Sequence, residues 1–103
     1  MQSRVLWSEQ VGRYVQSKAP EPRRAIWQAI KNLSAWDGKE NQPLIVHLED
    51  DLSGYNRVRI KGERVIFRED FENGQRVIKC IFAGPRLTVY DAFRELLLDE
   101  LAG

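Results

Sequence analysis

Two turn signals, Gly62-Glu63 and Asn73-Gly74, divide the stretch from Arg57 to Phe82 into three strand-like segments, and nothing else in the chain constrains the fold as much. Asparagine followed by glycine suits a two-residue hairpin loop, because both central positions then take positive φ at little cost. Side chains alternate between faces along a strand, so reading both turns as two-residue loops assigns every residue to a side. One face collects Val58, Ile60, Val65, Phe67, Ile78, Cys80 and Phe82. The other collects Arg57, Arg59, Lys61, Arg64, Arg68 and Lys79. An antiparallel sheet with one apolar and one basic side is the expectation.

The apolar side needs a cover, and the N-terminal third supplies it. Arg4 to Trp7 reads as a short first strand, and Ser8 as the N-cap of a helix whose face carries Val11, Tyr14 and Val15. Pro20 and Pro22 open a second helix, since proline is tolerated in a helix's first turn. Ile26, Ala29, Ile30 and Leu33 form its stripe, and Asp37-Gly38 is expected to end it. From Lys39 to Ser53 no periodicity is visible; the segment reads as a long connection anchored at Leu44 to Leu48. Thr88 and Asp91 have the spacing of a capping box before a closing helix with Val89, Phe93, Leu96, Leu97 and Leu101 on one face. The predicted fold class is α+β: an N-terminal strand and a two-helix hairpin packed on an antiparallel sheet, with a C-terminal helix, in one domain over residues 1–103.

Composition removes several function classes. The one cysteine allows no internal disulfide, and a reducing cytoplasm is the expected compartment. With one histidine beside it, a zinc site of the usual Cys/His kind is not expected, nor is any cofactor. No apolar run approaches the ~20 residues that span a bilayer, so no membrane partner is expected. Net charge is only +1, so any case for nucleic acid rests on local charge.

Local charge is where the chemistry concentrates. Arginine predominates on the basic face, and its planar fork matches phosphate. Tyr55 lies on the same face as a surface on which a base could stack, or as an ordinary rim residue. Arg86 follows the last strand in Gly84-Pro85-Arg86, and Tyr90 sits in the first turn of the final helix, either beside Arg86 or packed against helices. His47 lies in the apolar run Leu44 to Leu48 and reads as a partly buried, satisfied histidine. Glu49, Asp50 and Asp51 read as a solvated acidic loop, and Cys80 as a core residue.

The run L-S-G-Y-N-R-V-R-I-K-G-E-R-V-I-F, Leu52 to Phe67, together with Gly84-Pro85-Arg86 and Val89-Tyr90, resembles the RelE/ParE superfamily of type II toxin–antitoxin toxins. The order of elements is similar as well. The RelE branch implies a metal-independent endoribonuclease that enters the ribosomal A site and cleaves mRNA: a ribose 2′-hydroxyl attacks the adjacent phosphate, leaving a cyclic phosphate and a 5′-hydroxyl. By position the resemblance implies that Arg57 and Arg59 hold the RNA backbone and that Arg64 stabilises the pentacoordinate phosphate. Arg86 matches the cation at the leaving oxygen, and Tyr90 the residue that acts as base or stacks on a nucleobase. A sister branch has a glutamate just upstream of its own L-S-G-Y, where this chain holds Val46 and His47, so His47 is an alternative base. Lys61, Arg68, Lys79 and Tyr55 complete the RNA-binding candidates. The implied partners are a cognate antitoxin, the ribosome and mRNA, and inhibition of translation is the implied outcome. The alternative is a ParE-like DNA gyrase inhibitor, or a catalytically inactive homologue that binds protein.

Overall fold

A computed structural model describes residues 2–102. Its order is β1 (Arg4–Trp7), α1 (Glu9–Gln16), α2 (Pro20–Asn32), β2 (Ile45–His47), β3 (Asn56–Ile60), β4 (Glu63–Glu72), β5 (Gln75–Pro85) and α3 (Val89–Ala102). The strands form one sheet in the order β1-β5-β4-β3-β2. All neighbours pair antiparallel except β1, which joins β5 in parallel and makes the sheet mixed. The α+β class and the predicted succession of elements hold.

Local chemistry explains the helices near the N-terminus. The Ser8 hydroxyl accepts from the Val11 N–H, as an N-cap should, and also donates to the Ile81 carbonyl at 2.7 Å. Pro20 occupies the first turn of α2, where its missing N–H has no partner to lose. Helix α2 stops at Asn32, earlier than expected, because a 3-10 turn at Leu33–Ala35 follows before Asp37-Gly38. The connection from Lys39 to Ser53 holds more structure than its sequence suggests: β2 and a 3-10 turn at Asp50–Leu52.

Helices α1 and α2 cover one face of the sheet. Val11, Val15, Ile26, Ile30 and Leu33 pack there against Val58, Val65, Phe67, Ile78 and Cys80. The opposite face departs from expectation, because it is not uniformly basic. A second core of Leu52, Ile66, Val89 and Phe93 joins it to α3, with Phe82, Leu96 and Leu97 packed alongside. Leu101, expected on the buried stripe, is 85% exposed.

Two register details account for this. The β3–β4 loop is Lys61-Gly62, not Gly62-Glu63: Ile60 pairs with Glu63, and Lys61 takes the left-handed conformation at φ 54°. That slip moves the pairing by two residues, so every side chain of β3 and β4 keeps its predicted face. At Asn73-Gly74 the predicted loop is correct, with Glu72 opposite Gln75 and φ 54° and 76° at the two central residues. Between the two turns β5 bulges: Phe67 pairs with Cys80, but Ile66 pairs with Phe82. The extra residue, Ile81, turns Phe82 from its predicted place beside Cys80 onto the α3 side.

Candidate nucleic-acid interface

The β3–β4 turn, the end of β5 and the start of α3 converge on one corner of the second face. Arg59 stands directly opposite Arg64, which stands opposite Gly84 on β5. Beyond them the Arg86 backbone N–H donates to the Gly62 carbonyl at 2.9 Å, tying the loop after β5 to the turn that carries Lys61. Gly84 allows α3 to start close against the strand, since a Cβ there would lie 3.2 Å from Val89 Cγ2. The sequence candidates Arg57, Arg59, Lys61, Arg64, Arg86 and Tyr90 are thereby gathered in one place.

Arg64 differs from the expectation that it faces away from the packed interior. It is 6% exposed, and its Nη1 donates to the Lys61 carbonyl at 2.7 Å and the Glu63 carbonyl at 2.9 Å. The arginine curls back to close its own turn, a role that no charge pattern reveals. Burial pushes its pKa down, with the Arg57 charge adding to that, while the facing Tyr90 phenol acts in the opposite sense. Arg57 is tethered as well, through Nη1 to the Pro43 carbonyl at 2.7 Å. Arg59, Lys61 and Arg86 are exposed.

No ion pair among the described residues involves Arg57, Arg59, Lys61, Arg64 or Arg86. Glu63, the one acid on the hairpin, turns to the other face, where it accepts from the Tyr14 hydroxyl and pairs with Lys18 at 3.1 Å. A like-charged pair directly opposite across two strands is destabilising. The fold therefore carries an electrostatic cost at Arg59 and Arg64 that no internal carboxylate offsets, and an anion bound there would relieve it.

The remaining candidates lie elsewhere. Arg68 and Lys79 face each other four residues along β4 from Arg64, about 13 Å at the usual strand rise. Carboxylates occupy them: Lys79 Nζ lies 3.1 Å from Asp70 and 2.8 Å from Glu72, and Arg68 3.9 Å from Asp70. The Lys79 ammonium, ahead of the Phe71 N–H, holds the Asp70 carboxyl below its ordinary value. Tyr55 packs edge-on against Phe93 with ring centroids 5.0 Å apart, so its ring is engaged in the second core. His47 is exposed, not partly buried, because β2 is an edge strand. Its Nδ1 sits 2.6 Å from Asn56 Oδ1 on the α1–α2 side of the sheet, away from the arginine corner. Cys80 is buried as expected, and desolvation pushes its thiol up to about 12.

No protein-family profile and no curated protein matches the sequence. Solved structures do match. A chain of the toxin–antitoxin complex RelBE2 from Mycobacterium tuberculosis is 18% identical with a TM-score of 0.64, the match covering 84% of this chain and 93% of that one. A chain of the archaeal RelE–RelB complex from Pyrococcus horikoshii OT3 is 24% identical with a TM-score of 0.64, over 84% and 97% of the two chains. The YoeB/ParE toxin from Agrobacterium tumefaciens is 15% identical with a TM-score of 0.63, over 80% and 96%. The likeness is one of architecture, and it agrees with the resemblance carried by Leu52 to Phe67: this chain has the RelE/ParE-like toxin fold.

Proposed function

We propose that this protein is the toxin of a type II toxin–antitoxin pair and a metal-independent endoribonuclease that cleaves mRNA in the ribosomal A site. The observation that carries the reading is the corner itself: five cations without a carboxylate partner among the described residues, with a phenol facing the innermost one. Exposed Arg59, Lys61 and Arg86, with tethered Arg57, would hold successive phosphates. Arg64 would meet the scissile phosphate on the side of its guanidinium that faces Tyr90, its Nη1 being held by the Lys61 and Glu63 carbonyls. A guanidinium already fixed by two carbonyls need not reorganise as negative charge builds on phosphorus, which is the economical way to stabilise such a charge. Tyr90, in its phenolate form, would take the 2′-hydroxyl proton as that oxygen bonds to phosphorus, becoming the neutral phenol. The P–O5′ bond then breaks, and Arg86 would stabilise the departing oxygen until it gains a proton.

A cognate antitoxin is the proposed partner, by likeness to the RelBE2 and RelE–RelB structures, which are complexes with antitoxins. Ribosome and mRNA are the proposed targets. The test adds purified protein to translating ribosomes and maps mRNA ends, with Arg86→Ala and Tyr90→Phe in parallel. Cuts within A-site codons, weakened roughly 10²–10³-fold in Arg86→Ala, are the expected result. Intact message with wild-type protein would instead favour the second reading, a ParE-like gyrase inhibitor or a noncatalytic binder of an acidic protein. One observation favours that reading: the lone histidine, the usual acid–base group near neutral pH, stands on the opposite face of the sheet.

A further inference from the structure

A cleft of about 580 Å³ lies between the C-terminal end of α2 and the β2–β3 edge. Its floor is apolar, with Leu33, Ile45 and Val58, and Trp36 forms a wall. The Trp36 ring is fixed by its Nε1, which donates to the Lys39 carbonyl at 2.8 Å, and by edge-on contact with Phe67 at 5.1 Å between centroids. Two carboxamides line the same cleft. Asn32 Oδ1 accepts from Gln28 Nε2 at 3.0 Å, which leaves its amide hydrogens for another acceptor. Asn41 uses its backbone N–H and carbonyl to extend the β2 edge, while its side chain enters no hydrogen bond among the described residues. Arg59 lines this cleft and also belongs to the arginine corner.

We infer that the cleft is a nucleobase subsite: an RNA phosphate rests on Arg59 and the attached base enters between Trp36 and the two asparagines. This rests on the corner being an RNA-contacting surface, and it extends that surface around the β2–β3 edge to the α2 side. Charge favours a base over a phosphate inside the cleft, because Asp37 and Glu40 line it and would repel an anion while accepting from a base N–H. An apolar floor, a rigid aromatic wall and a few carboxamides are what a base requires, since every base has a stackable face and a hydrogen-bonding edge. A volume of this size is within the usual range for small-ligand sites.

The experiment follows backbone amide shifts by NMR while the intact protein is titrated separately with AMP and with ribose 5-phosphate. Both probes carry the phosphate, and only AMP carries a base. AMP is expected to shift Trp36, Asn41 and Ile45 along with Arg59, and to bind about ten-fold more tightly than ribose 5-phosphate. Ala35→Leu, at an exposed position lining the cleft, should remove that ten-fold difference without changing the ribose 5-phosphate Kd. Asn41→Ala, also exposed, should reduce the difference without altering the fold. Equal affinity for the two probes, or shifts confined to the corner, would overturn the subsite and leave the toxin reading standing. No binding of either probe would overturn the subsite and the phosphate contact at Arg59 on which it rests, leaving the ribosome assay to decide the toxin reading.

Discussion

Arg64 donates from one nitrogen to two carbonyls of its own turn, so replacing it changes stability as well as charge. Arg64→Ala should lower unfolding free energy by about 1–3 kcal/mol, the usual consequence of unmaking buried hydrogen bonds to a charged group, as read by urea denaturation. A loss of activity in that variant is therefore not proof of a catalytic role, whereas Arg86→Ala and Tyr90→Phe separate the two effects. Lys61 is the complementary case. It holds φ 54° without being glycine, so Lys61→Gly should remove a corner charge with stability unchanged or raised by up to about 1 kcal/mol. Weaker RNA binding in a variant that melts no earlier would assign the lysine to the interface. Cys80, with its thiol pushed up to about 12 and fully packed, should resist iodoacetamide at pH 8 until the protein is unfolded by denaturant.

The β4–β5 hairpin shows at the element scale what the sequence makes legible. Asn73-Gly74 announces its loop correctly, since asparagine and glycine tolerate the φ values that the turn requires. Lys61-Gly62 was hidden because lysine carries no such signal, and the faces of β3 and β4 were still assigned correctly because a two-residue slip preserves alternation; only Phe82, beyond the β5 bulge, was misplaced. The second core could have been suspected from Val65-Ile66-Phe67, three consecutive apolar residues that alternation cannot place on one side; such runs mark a strand buried on both faces. Strand β2 was not legible, because three residues are too few to express a period. Nor was the neutralisation of Arg68 and Lys79, which depends on Asp70 and Glu72 pointing to the same side of the sheet. The Asp70 carboxyl, held low by Lys79, contributes stability that is complete above its unfolded pKa near 4 and is lost as pH falls through the lower folded value. Asp70→Asn should therefore lower the stability plateau above about pH 4 and converge with wild type at lower pH, which flattens the acid limb of the stability–pH profile.

At the scale of the whole molecule, a net charge of +1 conceals a strong division. Carboxylates occupy the cations at the Asn73-Gly74 end of the sheet, and no ion pair among the described residues occupies those at the Lys61-Gly62 end. RNA binding should accordingly depend on salt far more steeply than the net charge suggests. Four phosphate contacts give a slope near −3 in log K against log salt, or roughly a fifty-fold loss between 50 and 200 mM. A slope near zero would remove the corner from the interface. The sheet serves two helical layers because β5 shifts phase once, at Ile81: before it, Cys80 points toward α1 and α2, and after it Phe82 points toward α3. The chain thus has a reading frame of its own. Removing one residue there would exchange inside for outside at Phe82 and Ala83 and leave α3 facing the wrong set of side chains, so this strand tolerates substitution far better than a change of length.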